Sequence, residues 1–186
     1  SHHWAMRDAP DTVVCASFYL YAHNAKQHGV RDYIMQYMFQ SPPMLSNAMD
    51  LARALAAIEL VESFAGDDFR VRRQFRTGLL SHPVDERRAR AHLAQSTMLM
   101  MSARPHIIHV VGHTEAHHAA TAEEIIEAAT ITQEVVETAL RGNPDMTADP
   151  AVQARKAELI DETHVLIDAI RALGESVAPD DPDPLS

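Results

Sequence analysis

The segment Pro105-His-Ile-Ile-His-Val-Val-Gly112, followed by His113-Thr-Glu-Ala-His-His118, decides the fold. Its first part is rich in β-branched residues and bounded by proline and glycine, which predicts a strand over residues 106–112. Thr121 and Glu124 then form a capping box, which predicts the start of a helix. A strand that leads into a helix is the repeating unit of a parallel α/β sheet.

Two similar strands precede this segment. Residues 33–40 are rich in aromatic and large apolar side chains and end at Ser41-Pro42-Pro43, where proline stops regular structure. Residues 69–76 predict a second strand, which ends at Thr77-Gly78. The sequence therefore predicts three strands.

Amphipathic segments flank the strands and predict five helices. They begin at capping residues or at a proline in the first turn, and most end at glycine or before proline. They span about residues 12–28, 46–66, 85–104, 121–141 and 149–174. Because each strand-to-strand connection is long enough for a helical crossover, we expect parallel neighbouring strands with helices on the outside.

The predicted fold class is therefore α/β. Three parallel strands fit either a small open sheet or part of a (β/α)8 TIM-barrel-like unit, which usually needs about 250 residues. Arg70, Arg72, Gln74 and Arg76 alternate along the second strand, so one face of the sheet is polar. That face either lines a polar ligand site at the mouth of a barrel or is exposed to solvent.

Composition indicates one globular domain. The chain has 186 residues, of which 46% are hydrophobic and 23% are charged. We expect the domain to span residues 7–176. Residues 1–6 resemble a tag remnant ahead of a native start, and residues 177–186 form an acidic, proline-rich tail that is expected to be disordered.

Net charge and cysteine content limit the classes of binding partner and the cellular compartment that we expect. A formal net charge of -10 argues against binding to nucleic acid or to an anionic membrane surface. No apolar run approaches the roughly 20 residues of a membrane span. The single cysteine, Cys15, permits no internal disulfide, which is typical of a reducing compartment, so the expected location is the cytoplasm.

Polar residues follow the carboxyl end of each predicted strand, where parallel α/β folds bind ligands. These residues are Gln40 and Ser41, Arg76, and the pair His113 and Glu115. Arg76 can bind a carboxylate through two hydrogen bonds, and Glu115 can hold hydroxyl or ammonium groups. Together they suit an amino-acid-like ligand.

A zinc site is the alternative use of the histidines. In a helix, His109, His113 and His117 would share one face, with Glu115 nearby as a base. The strand prediction breaks this register because it places His109 inside the sheet, so no metal ligands are assigned. Packed or loop histidines without chemistry are a third interpretation.

Several of these stretches together resemble a known family. They are the segment from Gly29-Val30 to Phe39-Gln-Ser41, the helix beginning Ala48-Met-Asp-Leu, the strand end Arg76-Thr-Gly-Leu-Leu80, and Val110-Val-Gly-His-Thr-Glu-Ala-His-His118. They resemble the barrel subunits of adenosylcobalamin-dependent amino-acid mutases, namely the glutamate mutase large subunit and the lysine 5,6- and ornithine 4,5-aminomutases. The resemblance covers residues 12–174 and only a C-terminal part of such a barrel.

The resemblance implies roles for individual residues. Glu115 matches a glutamate that sits at the adenosyl group of the cofactor, and His118 matches a histidine of the aminomutase branch. By their place at the strand ends, His113, Gln40 and Ser41 are candidates for binding the same cofactor. Arg76 and Glu115 are the candidate catalytic residues.

The resemblance also implies partners. The cobalamin-ligand motif Asp-x-His-x-x-Gly is absent from the sequence, so a separate cobalamin-binding subunit would be required. Pyridoxal phosphate, where the reaction uses it, would also come through a partner. Val111 replaces a lysine of the glutamate mutase branch, which weakens assignment to a carbon-skeleton shift.

The expected function is thus that of an isomerase subunit in a radical 1,2-rearrangement of an amino acid. A homodimer or a further chain would supply the missing part of the barrel. A non-catalytic, partner-binding half-barrel and a zinc-dependent hydrolase are the alternatives.

Overall fold

The computed structural model describes residues 9–185, so the tag remnant predicted at residues 1–6 lies outside the described residues. These residues form five α-helices, three strands and two short 3-10 turns. In chain order the helices and strands are α1 (Asp11–Gln27), β1 (Asp32–Phe39), α2 (Asn47–Glu62), β2 (Arg70–Thr77), α3 (Glu86–Ser102), β3 (Ile107–Ile108), α4 (Ala122–Arg141) and α5 (Pro150–Val177).

The three strands form one parallel sheet in the order β1-β2-β3. β1 and β2 pair over eight residues, from Asp32 opposite Arg70 to Phe39 opposite Thr77. The predicted α/β class and the parallel pairing of neighbouring strands are confirmed. Each crossover contains a helix, as parallel strands require.

Local sequence signals start the helices where they were expected. The Ser46 hydroxyl accepts a hydrogen bond from the Met49 N–H at the start of α2, and the Asp85 carboxylate accepts one from the Arg88 N–H at the start of α3. Thr121 and Glu124 form both bonds of a capping box at the start of α4. These side chains satisfy backbone donors that the first turn leaves unpaired.

The third strand is much shorter than residues 106–112, so that prediction was wrong in extent. Only Ile107–Ile108 form a strand, although the His106 and His109 N–H groups flank it with bonds to the Arg73 and Phe75 carbonyls. Further along, the Gly112 N–H donates to the Glu115 carboxylate instead of to a strand. The backbone therefore leaves the sheet after residue 109.

One face of the sheet carries the core. Tyr37, Phe39 and Phe75 project from this face and their rings meet at centroid distances of 4.9 to 6.4 Å. Helices α1, α2 and α3 cover these rings with apolar side chains that include Phe18, Leu51 and Leu99. Aromatic rings in such edge-to-face arrangements add to the stabilisation from buried apolar area.

No helix among residues 9–185 covers the opposite face of the sheet. Ile34 is 52% exposed and Ile107 is 39% exposed there, and the Gln74 side-chain amide donates to the Gln36 side chain between them. Arg70 forms an exposed ion pair with Asp32 on the same face. The polar alternation seen in the sequence therefore corresponds to an uncovered face.

The remaining helices form an outer layer. α4 packs on α3, and α5 packs on both α1 and α2. α5 continues to Val177, three residues beyond the end expected at Gly174. Residues 178–185, for which the composition predicts disorder, turn back towards α1 and place Leu185 in a small apolar cluster.

A buried ionic network lies within the core. The Arg53 side chain has no exposed area, and it donates to the Tyr37 hydroxyl (2.7 Å), to Asp50 (3.3 Å), to Asp11 (3.2 Å) and to the Ser41 carbonyl. The Tyr37 hydroxyl donates in turn to Asp50 (2.8 Å). Burial raises the pKa of the Asp50 carboxyl, and the Arg53 charge offsets part of this rise. The network joins α1, β1 and α2.

Replacement of Arg53 tests this network. We expect Arg53→Ala to lower the free energy of unfolding by about 3–5 kcal/mol, because it leaves Asp50 and Tyr37 buried without their cationic partner. Urea denaturation followed by circular dichroism measures the change. The matched control is Arg70→Ala, which removes the arginine of the exposed ion pair with Asp32. It should lower the free energy of unfolding much less than Arg53→Ala does. Equal losses in the two variants would contradict the assignment.

Candidate functional site

Two loops meet at the carboxyl end of the sheet, which we call the rim. The Gly78 N–H, just after β2, donates to the Phe39 carbonyl at the end of β1 (2.7 Å). A Cβ atom at Gly78 would lie 3.0 Å from the Phe39 and Gln40 carbonyl oxygens. Glycine thus permits the close approach of the β1–α2 and β2–α3 loops.

Gln40 and Ser41 are part of the loop framework. The Gln40 N–H donates to the Asp50 carboxylate (2.5 Å), and this residue has a φ of 59°, in the left-handed region. Its side-chain amide donates to the Asn47 side chain (2.9 Å), and the Ser41 carbonyl accepts from Arg53. Both residues are buried at the rim, with these groups already bonded inside the protein.

The ionic network that holds this loop was missed from the sequence. A signal was present, because Asp50 and Arg53 lie in α2 among residues such as Leu51, Ala54 and Ala57, all of which are buried. A helix with small or apolar residues on every side is expected to be buried all round. Charged residues in such a helix require buried partners.

Glu115 lies in a turn between β3 and α4. Its Oε1 atom accepts the Gly112 N–H at 2.7 Å, while the residue as a whole is exposed. One carboxylate oxygen is therefore fixed by the backbone. Among the described residues no hydrogen bond is formed by the other oxygen, Oε2, which is available to a ligand.

Arg76 lies near the end of β2 on the uncovered face of the sheet. Its one hydrogen bond within residues 9–185 is a long contact from Nε to the Thr77 carbonyl (3.4 Å). The half-buried guanidinium forms no ion pair within that range. It keeps the donors needed to bind a carboxylate through two hydrogen bonds.

His118 belongs to the start of α4. Its Nε2 lies 3.0 Å from a Glu124 oxygen, and the same carboxylate accepts the Thr121 N–H at 2.7 Å. The hydrogen bond from the Thr121 backbone, followed by the one from His118, holds the pKa of Glu124 at about 2. The structure therefore places His118 in a helix cap beside the rim.

His113 is fully buried beneath the turn that carries Glu115. Its Nε2 lies 3.6 Å from Glu127 on α4, beyond hydrogen-bonding distance, and neither ring nitrogen has a hydrogen-bond partner among the described residues. Glu127 itself binds Arg90 of α3 through two hydrogen bonds of 2.7 and 3.0 Å. His113 therefore faces protein groups and not the open rim.

Two further histidines, His82 and His92, form a pair near His113. His82 lies just after the 3-10 turn Leu79–Ser81 and is buried, and neither ring nitrogen has a hydrogen-bond partner within residues 9–185. Its ring centroid is 5.3 Å from that of His92 on α3. His92 Nε2 lies 2.8 Å from the Ser81 hydroxyl oxygen. Burial, followed by the charges of His92, His113 and Arg76, lowers the pKa of His82 to about 4.

This histidine cluster was also missed from the sequence. The available signals were the position of His82 directly before Pro83 and the position of His92 beside Leu93, on the face of α3 that turns towards the core. Neither signal distinguishes a buried histidine from an exposed one. His82 follows β2 and His113 follows β3, so only the parallel arrangement of these strands brings the two side chains near each other.

The helical register required by the zinc interpretation is not formed. His109 is exposed after β3, His113 is buried, and His117 is exposed in the following turn. Within residues 9–185, no three or more histidine, cysteine, aspartate or glutamate side chains are grouped so that they could hold a metal ion.

Comparison with known proteins does not identify a family for the chain. No protein-family model matches the chain, and no curated protein sequence matches it. Within the described part of the chain, no helix has the length and apolar character to cross a membrane.

The low pKa of His82 predicts acid sensitivity. A lowered histidine pKa means that the folded state binds fewer protons than the unfolded state, so stability present above about pH 6.5 is lost as the pH falls towards 4. For His82 we expect a loss of about 2 kcal/mol in the free energy of unfolding, allowing for partial screening by solvent near the rim.

Urea unfolding at pH 7 and pH 4 measures this loss. The His82→Leu variant should lose about 2 kcal/mol less than the parent protein over this range, because a neutral apolar side chain has no proton to gain. His164→Gln is the control, since His164 is exposed on α5, and it should behave like the parent. A parent-like pH dependence in His82→Leu would contradict the prediction.

Proposed function

We propose that the chain is a partial barrel subunit of an adenosylcobalamin-dependent mutase that rearranges an amino acid by a radical 1,2-shift. The observation that carries the proposal is the placement of Glu115. One of its carboxylate oxygens accepts the Gly112 N–H in the loop that follows the carboxyl end of β3, and the residue is exposed. Ligand sites of parallel α/β folds occur at this end of the sheet.

The chemistry of the rim residues fits this assignment in part. Within residues 9–185 the Glu115 Oε2 atom has no hydrogen bond and Arg76 has no ion pair, so the first suits the hydroxyl groups of an adenosyl moiety and the second suits the carboxylate of an amino acid. Gln40 and Ser41 are bonded within their loop, so we assign them to shaping the site. His118 is bonded to Glu124 and would contribute only if the cap of α4 opened.

When bound, adenosylcobalamin supplies the radical chemistry, and the protein supplies binding and orientation. Glu115 would orient the adenosyl group through its Oε2 atom. Arg76 would hold the substrate carboxylate and so fix which carbon faces the cofactor. The buried network around Arg53 holds the β1–α2 loop through the Ser41 carbonyl.

The proposal requires partners. A cobalamin-binding subunit would carry the cofactor, and pyridoxal phosphate, where used, would also enter with a partner. The uncovered sheet face and the outer edges of β1 and β3 would be completed by a further chain or by a second copy. A radical reaction needs exclusion of solvent, and the open face among the described residues does not provide it.

A non-catalytic, partner-binding half-barrel is the second candidate. The observation that favours it is the exposed apolar side of α4, where Ile125 is 52% exposed, Ile126 is 66% exposed and Leu140 is 74% exposed. Such side chains, on a helix whose main contact among the described helices is with α3, are typical of a protein contact surface. This candidate predicts assembly without turnover.

Replacement of Glu115 by glutamine tests the catalytic proposal. The chain would be reconstituted anaerobically with a cobalamin-binding subunit, adenosylcobalamin and candidate amino acids, and isomer formation followed by chromatography. We expect Glu115→Gln to weaken adenosylcobalamin binding or turnover by about 10- to 100-fold, because hydrogen bonds to a charged group contribute about 1.5–3 kcal/mol.

The substitution leaves the fold intact, because an amide oxygen still accepts the Gly112 N–H. Glu134→Gln is the matched control, since it removes one exposed carboxylate on α4, and it should leave cofactor binding unchanged. Equilibrium binding of adenosylcobalamin gives a second measurement that needs no substrate. Unchanged binding and turnover in Glu115→Gln would argue against the proposal, and assembly without turnover in the parent would favour the half-barrel.

Self-association is a separate expected outcome. Unpaired parallel strand edges and an open sheet face recruit other chains. We therefore expect light scattering at micromolar concentration to give a mass above the 20.6 kDa of one chain. A clean monomer, with or without the cobalamin-binding subunit, would contradict this expectation.

A further inference from the structure

The segment after α5 forms defined contacts. The Ala178 N–H donates to the Gly174 carbonyl (2.8 Å) and the Asp181 N–H donates to the Ala178 carbonyl (3.0 Å), so the chain turns as soon as the helix ends. The following residues run back along α5 and reach α1. The last three described residues, Asp183, Pro184 and Leu185, each make a different kind of contact there.

Leu185 fills an apolar groove between α1 and α5. It is 9% exposed, although it lies at the end of a segment with several acidic residues. The groove is built from both helices, and its side chains are Ala16, Tyr19, Leu20, Leu166, Ile167 and Ile170. Burial of this one leucine is the apolar part of the contact.

Asp183 supplies the charged part. Both of its carboxylate oxygens lie 2.9 Å from His23 Nε2 on α1. One of them also accepts the Leu185 N–H (3.2 Å), so the aspartate shapes the turn that aims Leu185 into the groove. His23 lies against Phe64, with ring centroids 6.0 Å apart, which limits the positions open to the imidazole.

Pro184 supplies a steric requirement. A Cβ atom at Gly174 would lie 2.0 Å from the Pro184 carbonyl oxygen and 2.9 Å from its carbonyl carbon. These are backbone atoms, so no side-chain rotation relieves the clash. Glycine is a poor helix former, and its position inside α5 is explained by the close approach of the returning segment.

We propose that the groove between α1 and α5 is a binding site for an Asp-Pro-Leu segment, which residues 183–185 of the chain occupy in cis. Its recognition elements are His23 for the carboxylate, Gly174 for the proline backbone and the apolar groove for the leucine. Because these elements are contacts of residues 183–185 alone, a separate peptide of the same sequence binds once the tethered copy is displaced.

The tethered copy has a strong advantage over a free peptide. A short linker gives an attached segment an effective concentration of the order of mM. The parent protein is therefore expected to bind free peptide weakly. Displacement of the tethered copy in the full-length chain, by Leu185→Glu, exposes the groove because a carboxylate is not accommodated among apolar side chains.

Fluorescence anisotropy with a labelled peptide of residues 178–186 tests the proposal. We expect saturable binding to the Leu185→Glu chain, and binding at least tenfold weaker to the parent. A peptide that carries Leu185→Glu should not bind. Absence of saturable binding to the Leu185→Glu chain, or equal binding of both peptides, would overturn the proposal.

Groove variants in the Leu185→Glu chain define the recognition elements. Gly174→Ala should weaken peptide binding at least tenfold while preserving or increasing helix content, and His23→Gln should weaken it several-fold. Ser176→Ala is the matched control, because it changes an exposed residue of the same helix. It should bind the peptide as tightly as the Leu185→Glu chain without a groove substitution. Undiminished binding to Gly174→Ala would overturn the assignment.

Hydrogen exchange tests the cis contact independently of any peptide. The backbone amides of Asp183 and Leu185 should exchange slowly in the parent and rapidly in the Gly174→Ala and Leu185→Glu variants. Rapid exchange in the parent would overturn cis occupancy. None of these measurements involves a cofactor or an amino-acid substrate, so their outcome is separate from that of the mutase proposal.

Discussion

The rest of the structure depends on the buried guanidinium of Arg53. A buried charge is tolerated only where its donors are satisfied, and this one is shared by a phenol, two carboxylates and a backbone carbonyl. Those partners come from α1, β1, α2 and the loop after β1. Because the geometry of each bond is restricted, the relative positions of all four segments are restricted together.

The polar side chains near the rim are of two kinds, those bonded within the protein and those with bonding capacity left. Gln40 and His118 are bonded to neighbouring protein groups and stabilise local structure. Among the described residues, Glu115 has one carboxylate oxygen without a hydrogen bond, and Arg76 has a guanidinium without an ion pair. Fewer polar groups are therefore available to a ligand than the sequences of the three loops contain.

Sequence reasoning succeeded where one local signal decides the structure. Caps such as Ser46 and the pair Thr121 and Glu124 start helices at the expected residues, and the β1 and β2 strands are displaced by one residue at most. The extent of the third strand was not predictable in this way, because the Gly112 N–H is bonded by the Glu115 side chain and not by a strand.

The candidate site was less predictable than the fold. His113 was expected at the rim from its place after a strand, yet it is fully buried, because the turn that exposes Glu115 points His113 inwards. The ion pair of Arg53 with Asp11 joins two different helices, and the contact of His82 with His92 joins a loop to a helix, so neither follows from a local sequence pattern. Gly174 was expected to end α5, but the helix continues to Val177. Glycine is required at this position because the Pro184 backbone lies close to it.

The one-sided sheet also affects how the sequence can vary. The aromatic core lies on one face, so the exposed side chains on the other face, such as those of Ile34 and Arg72, make little contribution to packing. Substitutions at these positions are limited by strand propensity and by contacts with other molecules more than by folding. This surface can therefore diversify, in evolution or in protein engineering, while the aromatic core and the Arg53 network stay constant.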